Sequence, residues 1–195
     1  MDIDKEGWCL QATRLVSPNQ NDRPDNEEID LLVIHNISLP PGQFGGHCIA
    51  DLFLNRLDCN AHPFFDQLRA LKVSSHFFIR RDGSLFQFVS ADKRAWHAGV
   101  SSFKGREGCN DFSVGVELEG TDFVSFEPEQ YETLVSLTDA LRRRYSLKTI
   151  TGHQHIAPVR KTDPGPFFDW QRYKKMLEGT GTFEAGKALP DFWIG

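Results

Sequence analysis

The sequence has no long apolar run, so it contains no segment that could cross a membrane. It also lacks a basic excess: 22 lysines and arginines stand against 27 acidic residues, which argues against a nucleic-acid partner. The first ten residues, MDIDKEGWCL, lack the basic-then-apolar pattern of a secretory signal. We therefore expect a cytoplasmic monomer that binds neither membranes nor nucleic acids.

Closely spaced cysteines are also missing. Cys9, Cys48, Cys59 and Cys109 form no C-x-x-C pair, so we interpret them as reduced thiols rather than as a thiolate metal site. The local zinc motif H-E-x-x-H is absent as well. Any metal site would therefore take its ligands from separate parts of the chain.

The composition is that of an ordinary globular protein. A chain of 195 residues with 39% hydrophobic and 25% charged residues fits one domain, and we find no internal repeat. We expect a single domain over 1–195, with a core of about 7–178 and a C-terminal tail, 179–195, that packs as irregular chain.

Strand and helix patterns are mixed along the chain, which predicts an α/β (α+β) fold with a central mixed β-sheet flanked by α-helices. Apolar runs predict strands, Asp82-Gly83 predicts a hairpin turn, and apolar periodicity predicts helices. The predicted strands are IDLLVIHN, the two arms of SSHFFIRRDGSLFQFVS, DFSVGVELEG and LKTITGHQHI; the predicted helices are CIADLFLNR, a turn or two in NAHPFFDQLRALK, EPEQYETLVSLTDALRRRY, and FFDWQRYKKMLEG ending at Gly179.

One segment, TGHQHIAPVRKTDPG, concentrates chemically useful side chains. It contains His153, His155, Lys161 and Asp163 within fifteen positions. Strand parity would place the two histidines on one face, so their spacing does not choose between them. The segment is either a polar loop or part of a metal site.

Two further ionisable residues lie on predicted strands. His35 ends the apolar run LLVI, and Glu117 lies in VGVELEG. Isolated charges on buried strands are costly, whereas imidazoles and a carboxylate brought together are what zinc binds. A catalytic zinc takes three protein ligands and keeps one coordination position open. His35, one histidine of TGHQH and Asp163 would supply these three ligands.

Simpler interpretations remain open for each residue taken alone. His35 could be a hydrogen-bonded structural residue, Glu117 and Glu119 a solvated strand face, and Lys161 part of a surface turn. A structural zinc would need a fourth protein ligand, for which His155 is the available residue.

Four long, ungapped motifs carry a resemblance to a known family. The motifs are LLVIHNISLPPGQFGG, HFFIRRDGSLFQFV, KRAWHAGVSSFKGREGCNDFSVGVELEGTD and TGHQHIAPVRKTDPGPFFDW. Through them the chain resembles, from about Gly7 to Tyr173, the AmpD-type N-acetylmuramoyl-L-alanine amidases, a branch of the zinc amidases that also include phage amidases and peptidoglycan-recognition proteins.

The resemblance implies roles for five residues. The zinc ligands would be His35, the histidine directly after TG (His153) and Asp163. Glu117 would hold or activate the water, and Lys161 would stabilise the transition state. His155 occupies a position that is usually not histidine in the family, so we expect it outside the ligand set.

The same resemblance implies the reaction. It is the zinc-dependent hydrolysis of the amide between the lactyl group of (1,6-anhydro-)N-acetylmuramic acid and L-alanine, on small muropeptides during peptidoglycan recycling. Candidate substrate-binding residues are Asn36, Lys72, Trp96, His97 and Arg106, because an indole suits a sugar face and basic residues suit carboxylates. Core packing is the competing interpretation of Trp96.

Two positions depart from the family pattern. Gly108 in GREGCND and Lys72 in LKVSSH stand where the family has arginine, and both positions could contact substrate carboxylates or sugar oxygens. Two other functions also remain open. A non-catalytic recognition module would lack ligands that are present here, and a lytic amidase acting on intact peptidoglycan would need export or a wall-binding domain.

Overall fold

The computed structural model describes residues 1–180 and 189–194. Within these ranges the strands are β1 (Thr13–Arg14), β2 (Gln20–Asn21), β3 (Leu31–Ile37), β4 (Phe77–Ile79), β5 (Leu85–Gln87), β6 (Arg94–Ala95), β7 (Ser102–Phe103), β8 (Arg106–Glu107), β9 (Ser113–Glu119), β10 (Thr149–Gly152) and β11 (Asp191–Trp193). The α-helices are α1 (Cys48–Phe53), α2 (Pro128–Arg144), α3 (His153–Ile156) and α4 (Trp170–Glu178), and 3₁₀ helices span Pro63–Leu68 and Cys109–Asp111.

A mixed sheet forms the centre of the molecule, as predicted. Seven strands of the described ranges hydrogen-bond in the order β1-β5-β4-β9-β3-β10-β11. The predicted hairpin is confirmed, because β4 and β5 pair antiparallel across the Asp82-Gly83 turn, whereas the other neighbours pair parallel. The apolar residues of the central strands are almost fully buried, as expected for parallel strands covered on both faces.

The strand register brings distant polar residues together. β3 and β9 pair in parallel with His35 opposite Glu117, and β10 pairs on the other side of β3 with Gly152 opposite Ile34. The chain that follows Gly152 therefore leaves the sheet beside His35. Functional groups are expected at this carboxyl edge of parallel strands, where the connecting segments diverge.

Two amphipathic helices complete the core. α2 begins with Pro128 and buries its leucine stripe, and α4 is capped by the Asp169 carboxylate, which accepts a hydrogen bond from the backbone N–H of Arg172. α4 ends at Gly179, as predicted. No helix in the described ranges combines the length and apolar composition needed to cross a bilayer.

Two predicted segments differ from the structure. The strand predicted to run through TGHQHI ends at Gly152, and His153–Ile156 forms a short helical turn. In the tail, Asp191–Trp193 is not irregular: it forms a parallel edge strand along β10, whose backbone would otherwise lack a partner there. Residues 181–188 and 195 of the predicted tail lie outside the described residues.

Candidate active site

Three potential metal ligands converge at the carboxyl edge of the sheet. His35 Nδ1, His153 Nδ1 and Asp163 Oδ2 lie 3.0 Å from one another in all three pairs. Both imidazoles are buried, and the Asp163 side chain is 15% exposed. The sequence-based triad is therefore assembled in space from a strand, a helical turn and a loop.

The loop that carries Asp163 is held at both sides of that residue. The backbone N–H of Gln154 donates to the Asp163 carbonyl oxygen at 2.8 Å. The Asn36 amide donates to the Pro164 carbonyl at 3.0 Å and to Asp122 Oδ1 at 2.7 Å. Strand β3 thus supplies one candidate ligand and, through its next residue, fixes the loop of another.

The protonation of the histidines suits a metal. His153 Nε2 lies 3.1 Å from the Ala98 carbonyl oxygen, which can only accept, so Nε2 carries a proton and the neutral form of the ring presents Nδ1 as a lone pair. Burial, aided by the neighbouring His153, lowers the pKa of His35 to about 4, so its ring is neutral at pH 7.

This donor set fits zinc. Neutral imidazole nitrogens and a carboxylate oxygen are ordinary zinc ligands, and two histidines with one acid leave a coordination position open. Electron-rich atoms held 3.0 Å apart repel one another unless a cation or a proton lies among them. The triad of His35, His153 and Asp163 is accordingly the group of described residues that could hold a metal ion.

His155 turns away from this cluster. Its Nδ1 lies 3.4 Å from the backbone nitrogen of Gly152, and its ring faces Trp170 at a centroid distance of 6.2 Å. The expectation that His153 and His155 share a face was wrong, because they lie on a helical turn, where residues two apart are rotated by about 200°.

Glu117 lies next to the three candidate ligands. Its Oε1 is 4.0 Å from His35 Nδ1, and its Oε2 is buried without a hydrogen-bond partner in the described residues. Burial raises the pKa of Glu117 well above its usual range, the charge of Asp163 adds to the rise, and Lys161 opposes it. A buried carboxylate with a free oxygen is suited to binding and exchanging a proton.

Glu119, on the same strand, has a different role. It is 2% exposed, so the solvated-face alternative does not apply to it. Its two carboxylate oxygens accept hydrogen bonds from the backbone N–H groups of Gly45, at 2.5 Å, and Arg81, at 3.1 Å. Glu119 thereby ties the glycine-rich loop after β3 to the hairpin.

Two clefts meet at the cluster. One, of about 360 Å³, reaches from the candidate ligands along Trp96, and the other, of about 700 Å³, runs past Phe123. Asn36, Lys161 and Asp163 line both. A molecule with two arms could therefore lie across the cluster with the bond between its arms beside Lys161.

The chain as a whole is similar to known proteins. The family model for N-acetylmuramoyl-L-alanine amidase matches residues 25–166. The chain belongs to this amidase family.

Individual relatives agree with the assignment. The chain is 55% identical over 174 residues to the 1,6-anhydro-N-acetylmuramyl-L-alanine amidase AmpD of Citrobacter freundii, an alignment covering 88% of this chain and 93% of that protein. A crystal structure of a selenomethionine AmpD derivative matches with a TM-score of 0.87 and 54% identity, covering 91% and 99% of the two chains. Escherichia coli AmiD, in complex with the substrate anhydro-N-acetylmuramic acid-L-Ala-D-gamma-Glu-L-Lys, matches with a TM-score of 0.57 and 29% identity, covering 78% and 60%.

The predicted substrate-binding residues of this amidase are dispersed. Asn36 and Trp96 line the smaller cleft, and the Trp96 indole N–H donates to Asn21 Oδ1 at 2.6 Å. His97 also borders this cleft, but its ring is buried against His35. Lys72 is exposed on the segment whose neighbours line the cleft, and it is not itself part of the lining.

Arg106 lies far from the cluster. It binds both oxygens of Asp30 at 3.0 and 2.9 Å, pairs with Glu27, and borders a separate cleft at the opposite end of β3. The structure therefore does not bring Arg106 together with the other site residues. Gly108 has a φ of 68°, a left-handed conformation that would strain an arginine at this position.

Sequence reasoning missed two polar residues that contact the predicted site. Asn110 accepts the backbone N–H groups of His97 and Ala98, and Ser113 contacts the His97 ring. Both lie in the GCNDFSVG stretch that opens β9. A polar residue at a strand entry has no distinctive spacing, so only its three-dimensional contacts identify it.

Proposed function

We propose that this protein is a zinc-dependent amidase that cleaves the bond between the lactyl group of 1,6-anhydro-N-acetylmuramic acid and L-alanine. The observation that carries the proposal is the cluster of His35, His153 and Asp163, with mutual distances of 3.0 Å, beside a Glu117 oxygen that has no hydrogen-bond partner in the described part of the chain. The substrate class follows the AmpD relatives and the ligand of the AmiD complex. The proposed role is cytoplasmic peptidoglycan recycling.

Glu117 is the proposed proton carrier. A zinc ion held by the triad would polarise the amide carbonyl and lower the pKa of a water molecule to about 7. Glu117 accepts the proton of the attacking water and transfers it to the leaving nitrogen of L-alanine as the carbon–nitrogen bond breaks. Its burial, which raises its pKa, favours holding that proton between the two steps.

Lys161 is the proposed electrostatic partner of the developing oxyanion. It borders both clefts next to Asp163, and its charge is close enough to lower the pKa of Glu117. A positive group aimed at charge that develops in the transition state is worth roughly 3–4 kcal/mol when it acts like an oxyanion-hole donor. The junction of the clefts suits a substrate with a sugar on one side and a peptide on the other.

Product analysis tests the reaction. Purified protein is incubated with anhydro-N-acetylmuramic acid carrying L-Ala-D-γ-Glu-L-Lys, or with intact sacculi, and the products are separated and weighed by mass spectrometry. We expect release of the intact tripeptide from the small substrate, and little release from sacculi. Preferential release from sacculi would favour the lytic amidase, and binding without release would favour a recognition module.

Elemental analysis tests the metal. We expect about one zinc per wild-type chain and loss of zinc in Asp163→Ala, because a catalytic zinc depends on all three protein ligands. His155→Asn is the matched control, since His155 faces Trp170, away from the cluster, and it should keep both zinc and activity. Full zinc occupancy in Asp163→Ala would refute the ligand assignment, and zinc loss in His155→Asn would favour a structural site.

The cellular consequences follow from the proposed reaction. Loss of the enzyme should raise cytoplasmic anhydro-muropeptides, which we propose signal β-lactamase induction. Muropeptide profiling and β-lactamase assays of a deletion strain, complemented with the wild type or with Glu117→Gln, would test both steps. We further propose that the enzyme acts as a monomer, to be checked by analytical ultracentrifugation.

A further inference from the structure

A chain of hydrogen bonds runs behind His35, away from the proposed metal position. The Ser113 hydroxyl lies 2.5 Å from the Cys109 carbonyl oxygen and 3.1 Å from His97 Nε2. A carbonyl oxygen can only accept, so the single hydroxyl proton is donated to Cys109. Ser113 Oγ must then accept from His97, which places the His97 proton on Nε2 and leaves its Nδ1 bare.

The direction of the next bond follows. His97 Nδ1 lies 2.9 Å from His35 Nε2. Since His97 Nδ1 is bare, His35 must donate from Nε2, and the remaining nitrogen of His35 has no proton. That nitrogen, Nδ1, is the one that lies 3.0 Å from both His153 Nδ1 and Asp163 Oδ2.

We propose that His97 is a positioning residue that holds His35 in the metal-binding tautomer and ring orientation, and that Ser113 in turn orients His97. This role rests on the proposed metal site, and it replaces the direct substrate contact predicted for His97. Hydrogen bonds to the outer nitrogen of a ligating histidine fix its tautomer and raise its basicity.

The surroundings of His97 are shaped to hold its ring. A Cβ at position 115 would lie 2.5 Å from the ring Cγ, so Gly115 provides the space that the imidazole occupies. The rings of His97 and His35 meet edge to face, at 88° and a centroid distance of 5.1 Å. His97 is 9% exposed, which leaves its ring little access to substrate.

The backbone next to His97 also contacts His153, the second histidine of the triad. Asn110 Oδ1 accepts the backbone N–H of His97 at 3.0 Å and that of Ala98 at 2.8 Å. The Ala98 carbonyl then accepts from His153 Nε2 at 3.1 Å. One dipeptide, held by Asn110, therefore supplies the acceptors for the outer nitrogens of both His35 and His153.

A matched pair of substitutions tests the role of His97. Asn and Leu have the same branching, but only Asn places an acceptor near the position of imidazole Nδ1. Zinc dissociation constants are measured by chelator competition on the purified proteins. We expect His97→Leu to bind zinc about 10- to 100-fold more weakly, the usual effect of removing such a partner, and His97→Asn to recover most of that loss.

Ser113→Ala provides a milder test that leaves the His97 ring in place. Without the Ser113 acceptor the His97 tautomer is no longer determined, so we expect a smaller loss of zinc affinity than in His97→Leu. In ¹H–¹⁵N spectra of the zinc-loaded proteins, the His35 Nε2–H signal should be protected from solvent exchange in the wild type and unprotected in His97→Leu.

The outcomes separate this inference from the proposed function. If the wild type binds zinc, and His97→Leu, His97→Asn and Ser113→Ala each bind it as tightly as the wild type does, the positioning role is refuted while the metal site stands. Equal loss in the Asn and Leu variants would likewise refute it, because a lost acceptor would not be the cause. A wild type that binds no zinc overturns both.

Discussion

The ionisable residues at the two ends of the central strands differ in how they are paired. At the amino end, Asp30 accepts two hydrogen bonds from Arg106, which also pairs with Glu27, and Lys148 pairs with Glu28 at 2.6 Å. At the carboxyl end, His35, His153 and Asp163 contact one another, and among the described residues none of the three forms an ion pair with a lysine or arginine.

The difference indicates where chemistry can occur. Paired charges at a partly exposed edge satisfy one another and contribute little stability individually. Acceptors that face one another in a site shielded from solvent, such as those of His35 and Asp163, are stable only with a cation or a proton between them. Glu117 Oε2 has no hydrogen-bond partner among the described residues, so it can bind a proton. Arg106, predicted from the sequence to bind substrate, belongs to the paired charges of the amino end.

The largest expected effect is at Glu117. Glu117→Gln removes the proton carrier with almost no change in shape, so turnover should fall about 10²- to 10⁴-fold. Zinc content should be retained, because Glu117 is not a proposed ligand. Steady-state kinetics and elemental analysis check the two halves of this expectation, and near-normal turnover would refute the proton-carrier role.

The next largest effect is expected at Lys161. Lys161→Ala removes a positive charge beside the junction of the clefts, and the turnover number should fall about 10²- to 10³-fold with zinc retained. Lys161→Arg, which keeps the charge, should lose less, and Lys175→Ala on α4 serves as the surface control. A change confined to KM would show that Lys161 binds the ground state rather than the transition state.

Glu119 should affect stability rather than chemistry. Glu119→Ala removes the two hydrogen bonds that the buried Glu119 carboxylate accepts from the backbone N–H groups of Gly45 and Arg81, which should cost about 1–3 kcal/mol in the free energy of unfolding. Urea denaturation measures this cost, with zinc content expected to be unchanged. Glu119→Gln would be inactive, and Glu117→Gln near normal, only if the two glutamates had been assigned in the wrong order.

The smallest effect is expected at the amino end of the strands. Arg106→Ala breaks partly exposed ion pairs, so the free energy of unfolding should fall by about 1 kcal/mol or less. Its kcat/KM should equal that of the wild type, because the residue lies at the opposite end of β3 from the cluster. A large rise in KM would instead support the prediction that Arg106 contacts the substrate.

Local pattern predicted most of the fold, and its failures have physical causes. The β4–β5 hairpin, β9, α2 and the end of α4 were all predicted from apolar periodicity, turn residues and caps, which are local properties. The strand β11 was not, because a short edge strand in a tail forms only when β10 is already there to pair with it.

Long motifs and local patterns were enough to predict the family, the central sheet and the candidate residues His35, Glu117, His153, Lys161 and Asp163. Which of these residues can act together depends on how the chain packs. Strand parity placed His153 and His155 on one face because it assumed an extended chain. The chain after Gly152 is a helical turn, which points His155 away from the cluster. Strand parity placed Glu117 and Glu119 on the same face of β9. The packed loop and hairpin give Glu119 two hydrogen-bond donors, whereas Glu117 Oε2 has no partner within the described ranges. Such differences arise from contacts between segments distant in sequence, which local pattern does not encode.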